Sequence, residues 1–210
     1  MHYVRRTNIM DIYIEPARKA IVIRQRWTYN WLSEPPLDFW TYEERRKWHH
    51  KADDIIWGNW SNKFSVYSFT SNKRFKDLNS VDFKVEFDIE WVLDNPHWTV
   101  NVHKTLPFRN FNSNVNWGNQ SINLSSVDLD YVIRDNIYSQ ITFNHEFGHT
   151  LLNDEEYGPE WGNPKISRYQ DDKRALMNIG NELRDRYFDL IEDQLKKWLP
   201  QVNFLFPKLK

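Results

Sequence analysis

Two histidines and a glutamate near the middle of the chain have residue types and a spacing that suit a zinc ion. His145 and His149 are four residues apart, so on a helix they lie about 40° apart around the axis and about 6 Å apart along it. Both imidazoles can therefore converge on one tetrahedral cation. Glu146 lies on the adjoining face, where its carboxylate can act on a metal-bound water without binding the metal. This H-E-x-x-H segment predicts a zinc site that activates water for hydrolysis.

The composition limits which other functions the chain could have. It contains 28 Lys and Arg residues and 29 Asp and Glu residues, for a formal net charge of −1. That balance gives no overall attraction to nucleic acid or to an anionic membrane, and we expect neither as a partner. The chain has no cysteine, which excludes disulfides, thiolate metal ligands and thiol catalysis.

The sequence carries no recognisable targeting signal. No continuous apolar run follows the charged N-terminus, and no stretch approaches the ~20 apolar residues that a membrane-spanning helix needs. We therefore expect synthesis in the cytoplasm without a signal peptide. At 210 residues, without a linker or an internal repeat, the chain is predicted to form one domain, 1–210, in which about residues 1–15 are a flexible N-terminal segment.

Hydrophobic patterns predict the elements that would hold the motif in place. Thr41 and Glu44 form a capping box that begins a helix reaching about residue 57. Alternating apolar and polar residues predict strands over 18–27, 63–70, 81–93 and 97–104, and 119–124 is a candidate edge strand. The motif helix is expected from about residue 128 or 131 to 152, and a closing helix from about 182 to 199. Together these elements predict an α+β domain.

The order of these elements, with a methionine-bearing turn before the last helix, resembles the metzincin zinc peptidases. The family motif H-E-x-x-H-x-x-G-x-x-H/D aligns with residues 145–155, and its Met-turn aligns with Met177 in the segment ALMNIG. More narrowly, HEFGH, DEEYG, ALMNIG and RDRYF are similar to bacterial metallopeptidase effector and toxin domains of contractile injection and polymorphic-toxin systems. The strong resemblance covers residues 144–190; upstream it rests on element order.

The resemblance implies a single metzincin-like domain with a twisted mixed sheet, an H-E-x-x-H active-site helix, a Met-turn and a C-terminal helix. It also implies Zn²⁺ as the cofactor and a protein or peptide as the substrate. A cognate inhibitor, an immunity protein or a delivery partner would accompany an effector, which would be delivered out of the cell.

Two positions depart from the metzincin pattern, and they leave the third zinc ligand open. Leu152 replaces the glycine that lets the family's chain turn sharply, so we expect the turn to shift to Asn153, which tolerates positive φ better. Glu155 stands at the third-ligand position in place of His or Asp, and glutamate oxygen is an acceptable zinc ligand. Asp154 is the nearest substitute. Glu182 is a further alternative, because Asn181–Asp185 loosely matches the N-E-x-x-x-D pattern of gluzincins, which take a third ligand from a later helix.

The predicted function is zinc-dependent hydrolysis of peptide bonds by an endopeptidase. His145, His149 and Glu155 would hold the metal, and Glu146 would be the general base. The alternatives are a gluzincin-type peptidase that uses Glu182 and a non-catalytic binding module with a structural zinc.

Three further residues and one strand have predicted roles around this centre. Tyr157 and Tyr187 are candidate hydrogen-bond donors to the oxyanion that forms during hydrolysis. Glu156 is either a partner of a ligand histidine or an exposed acid. The substrate would extend along 119–124 as an added strand.

Overall fold

Alternating apolar and polar residues build the sheet at the centre of the molecule. The computed structural model describes residues 2–106, 111–159, 162 and 167–206. Its strands are β1 (Tyr3–Arg6), β2 (Asp11–Glu15), β3 (Ala20–Ser33), β4 (Ser65–Phe69), β5 (Val81–Trp91), β6 (Trp98–Lys104), β7 (Asn114–Asn116), β8 (Ser121–Ser125), β9 (Tyr131–Arg134), β10 (Tyr138–Ile141) and β11 (Asn203–Leu205). The helices are α1 (Tyr42–Trp60), α2 (Thr142–Thr150) and α3 (Asp189–Trp198), and single 3₁₀ segments cover Lys73–Leu78 and Asp185–Phe188. The predicted α+β class with a mixed sheet is confirmed.

The sheet has the strand order β11-β4-β5-β3-β6-β8-β7. Strands β5, β3, β6 and β8 run parallel to one another, whereas β4 is antiparallel to β5 and β7 is antiparallel to β8. The long strand β3 pairs with β5 along one side, and on the other side it pairs first with β2 and then with β6. Strands β9 and β10 form a separate hairpin directly before α2.

Helices α1 and α2 pack against one face of the sheet through aromatic side chains. The ring of Phe147 on α2 lies 5.3 Å from the ring of Trp60 on α1 and 6.0 Å from that of Phe87 on β5. Trp27 on β3 closes the same cluster. Since these side chains are fully buried, large apolar groups of the core support the H-E-x-x-H motif on α2.

The capping box of α1 forms as predicted. Thr41 Oγ1 accepts a hydrogen bond from the Glu44 backbone N–H, and the Glu44 carboxylate accepts one from the Thr41 N–H. The helix extends to Trp60, three residues beyond its predicted end. None of the helices in the described residues is long and apolar enough to cross a membrane.

Three segments differ from the sequence prediction. Residues 3–15, expected to be flexible, form β1 and β2, because Ile12 and Ile14 are buried on the core side of the sheet. Residues 131–141, expected to be part of the motif helix, form the β9–β10 hairpin, in which Asp135 and Asn136 both have positive φ. The closing helix begins at Asp189 rather than near residue 182.

The predicted edge strand is not at the edge of the sheet. Residues 121–125 form β8, and the short strand β7 pairs with its outer side through Val115 and its neighbours. Strand β7 has only three residues, Asn114–Asn116, and so short a segment shows too little alternation of apolar and polar residues to predict a strand. Within the described chain no strand pairs with the other side of β7, so β7 supplies the free edge next to α2.

Candidate metal centre

Helix α2 presents the motif residues from a rigid, buried position. Asn144 fixes the helix from both sides, because its Oδ1 accepts from Trp60 Nε1 at 2.6 Å and its Nδ2 donates to Asn181 Oδ1 at 2.9 Å. His145, Glu146 and His149 are all buried. Trp117, just after β7, donates from Nε1 to the His149 carbonyl at 2.7 Å and ties the helix to the sheet edge.

A sharp turn after α2 brings the following segment back over the two histidines. The turn lies at Leu152, whose φ is +60°, so the expected shift to Asn153 is wrong. Asn153 has another task, since its Nδ2 donates to the Gly148 carbonyl at 3.0 Å and satisfies the end of the helix. Leu152 is 44 % exposed, and a left-handed leucine costs about 1–2 kcal/mol. This strain accompanies the reversal that places Glu155 beside the helix.

The side chains of His145, His149 and Glu155 converge on one point. Nε2 of His145 lies 3.2 Å from Nε2 of His149. The Glu155 carboxylate lies 3.1 Å from Nε2 of His145 and 3.0 Å from Nε2 of His149. Zinc–ligand distances of about 2.0–2.1 Å imply ligand atoms about 3.3 Å apart in a regular tetrahedron. Different oxygens of Glu155 make the two carboxylate contacts, Oε2 with His145 and Oε1 with His149, so the two nitrogens and the carboxylate have a spacing that suits one tetrahedral ion.

The ring orientations make both Nε2 atoms acceptors. Nδ1 of His145 lies 2.7 Å from the Leu176 carbonyl, and Nδ1 of His149 lies 2.6 Å from the Asn153 carbonyl. A carbonyl oxygen only accepts, so each Nδ1 carries the proton. In the neutral tautomers two nitrogen lone pairs and the Glu155 carboxylate then face one another, an arrangement that a cation or an added proton would stabilise.

The pKa values of these side chains reflect the same demand for positive charge. Burial lowers the pKa of His145, but the hydrogen bond and charge of Glu155 outweigh burial and raise it to about 9. Burial raises the pKa of Glu155, but its hydrogen bonds to both histidines outweigh burial and hold the pKa well below its usual range. A proton can thus occupy the position that suits a metal ion.

Glu146 lies beside the three converging groups without joining them. It is 6 % exposed, and among the described residues nothing donates a hydrogen bond to its buried Oε2. Burial raises the pKa of Glu146, although the neighbouring histidines lower it. A buried carboxylate oxygen without a donor is costly, and this one is placed to receive a proton from a molecule bound at the site.

Two cavities flank Glu146. The first, here called the His145 pocket, has a volume of about 340 Å³ and lies between α2, the β9–β10 hairpin and residues 111–113. The second, here called the His149 pocket, has a volume of about 460 Å³ and lies between α2, β7 and Glu155. Together they form a cleft along the β7 edge with the converging side chains at its centre.

Of the two tyrosines predicted to act as donors, only Tyr157 reaches the cleft. Its ring stacks on the His145 imidazole with centroids 6.1 Å apart, and it lines both pockets. Burial and the charge of Glu155 raise the pKa of Tyr157 above its usual range, so the phenol keeps its proton. Tyr187 is fully buried behind the site, where its hydroxyl accepts from the Met177 N–H and donates to Glu156. The prediction for Tyr187 is therefore wrong.

The segment around Met177 passes directly beneath α2. A Cβ atom added at Gly148 would lie 2.3 Å from the Met177 sulfur, so only glycine allows this approach. Gln140 on β10 joins the same layer by donating to the carbonyls of Leu176 and Asn178 at 3.2 and 2.8 Å. Met177 thus packs directly against the helix that carries the motif.

Glu156 is neither a partner of a ligand histidine nor an exposed acid. Its carboxylate receives two hydrogen bonds of 2.5 Å from the guanidinium of Arg186, which also stacks 3.9 Å above the ring of Tyr169. The Glu156 N–H donates to the Met177 carbonyl at 2.8 Å. This arrangement, called the Glu156 clamp below, fixes the residue after Glu155 to the turn beneath α2.

The alternative third ligands do not reach the site. Asp154 is exposed, and Glu182 is exposed and pairs with Arg184 at 3.0 Å. Among the described residues, the one group of His, Asp and Glu whose ligand atoms converge is His145, His149 and Glu155, within 4.8 Å of one another. Sequence reasoning missed Arg186 and Gln140, because their partners are 30 or more residues away.

Comparison of the chain with known proteins finds no matching family model, no matching curated protein and no matching solved structure.

Proposed function

We propose that this protein is a zinc-dependent endopeptidase in which His145, His149 and Glu155 hold the metal. The observation that carries the proposal is the convergence of three acceptors at 3.0–3.2 Å beside a buried carboxylate oxygen that lacks a donor. Two histidine nitrogens and one carboxylate are a donor set that zinc accepts in hydrolytic sites, where a fourth position stays open.

The proposed chemistry assigns one role to the metal and the others to the chain. When bound, zinc lowers the pKa of water to about 7 and polarises the scissile carbonyl. Glu146 then takes a proton from the attacking water on its unpartnered oxygen and returns it to the leaving amine. Tyr157 is placed to donate a hydrogen bond to the oxygen on which negative charge develops.

The substrate is proposed to bind as an added strand on the free edge of β7, not along 119–124 as first predicted. The peptide would exchange main-chain hydrogen bonds with β7 and place its scissile bond above Glu146. The cleft suits an extended polypeptide because the His145 and His149 pockets lie on opposite sides of Glu146.

Two alternatives are less well supported. A gluzincin-type site would need Glu182, whose carboxylate pairs with Arg184 away from the histidines. A non-catalytic module with a structural zinc would have no use for the buried, unpartnered oxygen of Glu146, which only lowers stability unless a substrate or water uses it.

A role as a delivered bacterial effector or toxin rests on the resemblance of residues 144–190. Under this proposal the chain meets a cognate inhibitor, an immunity protein or a delivery partner. The substrate would be a protein of a target cell.

The proposal is tested by metal analysis and cleavage of a peptide library. Wild-type protein should bind about one equivalent of zinc, cleave a subset of the peptides, lose cleavage with a chelator and regain it with added zinc. The His149→Ala variant, which lacks one proposed ligand, should neither bind zinc nor cleave the peptides, and added zinc should not restore cleavage. Cleavage that persists without metal, or a wild-type protein that binds no zinc, would overturn the proposal.

A further inference from the structure

The His145 pocket contains a positive charge that the proposed chemistry does not use. Arg134, the last residue of β9, lines this pocket together with His145 and Glu146. Its Nε donates to Gln140 Oε1 at 3.3 Å, and its Nη2 donates to Thr142 Oγ1 at 3.4 Å. Both acceptors are neutral. They orient the guanidinium and leave its charge and most of its five N–H groups available.

Arg134 combines the lack of an ion-pair partner with a position in the wall of this pocket. Within the described part of the chain no carboxylate lies within 4.0 Å of its guanidinium. Five other arginines each form an ion pair: Arg18, Arg24, Arg26, Arg184 and Arg186. A half-buried guanidinium held by two neutral groups at the wall of a cavity is a binding site for a carboxylate, because it matches a carboxylate through two parallel hydrogen bonds.

One acid, Asp128, lines the same pocket and has to be considered. Its Oδ2 accepts from the Ser113 hydroxyl and from the Ser125 N–H, both at 2.6 Å. The carboxylate therefore joins two wall segments. Burial raises the pKa of Asp128, whereas its hydrogen bonds and the nearby charge of Arg134 lower it, so the two groups attract each other although they form no ion pair.

The direction of the bound peptide decides which residue enters this pocket. Along the chain, Phe111 lines only the His145 pocket, whereas Asn114 and Val115 of β7 line only the His149 pocket. An added strand antiparallel to β7, the more stable pairing, thus runs from the His149 pocket towards the His145 pocket. Its residue after the scissile bond reaches Arg134.

We propose that the His145 pocket selects an acidic side chain, aspartate or glutamate, at the residue that follows the scissile bond, and that Arg134 binds its carboxylate. The inference rests on the proposed peptidase function for the position of the scissile bond. The pairing of a ligand carboxylate with Arg134 stands on the pocket alone. A lysine at the same position would place two cations together in a half-buried cavity and would be rejected.

The test uses peptides that differ only at the residue after the scissile bond, with Asp, Glu, Asn, Gln, Leu or Lys. Cleavage by the zinc-loaded wild type is measured as kcat/KM, and binding to the zinc-loaded Glu146→Gln variant is measured by fluorescence anisotropy. We expect Asp or Glu to exceed the matching amide by about tenfold to a hundredfold in both assays. Arg134→Gln should reduce this acid-to-amide ratio to about one, and Arg134→Glu should favour the lysine peptide.

The control variant is Lys51→Gln, which removes an exposed cation that pairs with Asp130 outside the pocket and should leave the ratio unchanged. Equal treatment of acid and amide, or a preference for lysine in the wild type, would overturn the inference even if cleavage is efficient. Acid-selective binding without any cleavage would instead keep the inference and refute the peptidase proposal. Thermal melts identify any Arg134 variant that fails to fold, and Arg134→Lys then replaces it, with a smaller acid preference expected.

Discussion

Removal of the Arg186 side chain should destabilise the protein and weaken zinc binding through Glu155. In Arg186→Gln the Glu156 carboxylate, only 6 % exposed, loses both hydrogen bonds of 2.5 Å from the guanidinium. Breaking a buried ion pair costs about 3–5 kcal/mol, because one charge stays buried without its partner. The Tyr187 hydroxyl still donates to Glu156 at 3.1 Å, so we expect the lower end, about 3 kcal/mol.

Arg184→Gln is the matched control for this change. Arg184 pairs with Asp172 and Glu182 in the same loop region but does not touch Glu156. Because its partners are partly exposed, Arg184→Gln should lower the free energy of unfolding by about 1 kcal/mol or less. Urea unfolding of the chelator-treated proteins measures the loss of unfolding free energy in both variants. Equal losses would contradict the conclusion that burial makes the Glu156–Arg186 ion pair the more important of the two.

A double-mutant cycle separates a positioning role from general destabilisation. If Arg186 acts on zinc through the segment that carries Glu155, Arg186→Gln should weaken zinc binding by about tenfold to a hundredfold. The same change in a Glu155→Ala background should then have little further effect. Zinc affinities from competition with a chromophoric chelator provide the four values. An equal weakening in both backgrounds would contradict the reasoning.

Substitutions can test three further properties: the packing at Gly148, the pH dependence that His49 causes, and the identity of the proposed third zinc ligand. Gly148→Ala should destabilise the fold by about 1–3 kcal/mol, because the new Cβ would lie 2.3 Å from the Met177 sulfur. In contrast, the Cβ of Gly58→Ala meets nothing within 4 Å, so this change should stabilise α1 by about 0.5 kcal/mol. Thermal melts measure both effects. Burial, and then the charge of the neighbouring histidine, lowers the pKa of His49 to about 4, so the unfolded state binds more protons. The contribution of this group to stability should fall by about 1–2 kcal/mol as the pH drops from about 6.5 to about 4, after discounting for solvent screening. In urea titrations the wild type should therefore lose about that much more stability over this range than His49→Gln. Glu155→Ala should weaken zinc binding by orders of magnitude while Glu182→Ala leaves it nearly unchanged, and a reversed pattern would restore the gluzincin alternative.

The parts of the fold that the sequence predicted are those governed by local patterns. The Thr41–Glu44 box specifies where α1 begins through two reciprocal hydrogen bonds. Alternation along β5 and β6 matches the buried side of the sheet. The spacing of His145 and His149 determines that their rings meet on any helix.

The parts that were missed depend on turn chemistry or on distant contacts. Asp135 and Asn136 at positive φ form the turn of a hairpin, and Asp and Asn tolerate this conformation, whereas the sequence prediction places both residues within the motif helix. Arg186 lies 30 residues from Glu156 in sequence, and no local pattern links them. The positive φ falls on Leu152 rather than on Asn153. The Asn153 side chain instead donates a hydrogen bond to the Gly148 carbonyl at the end of α2, a contact that the sequence pattern does not reveal.

The central claim is that Glu146 acts as a base beside a zinc ion that other residues hold. Its most direct test measures zinc content and peptide cleavage on the same preparations of wild type and Glu146→Gln. We predict about one equivalent of zinc in both proteins and a loss of about 10²–10⁴-fold in kcat in the variant. Loss of zinc from the variant, or cleavage close to that of the wild type, would contradict the account.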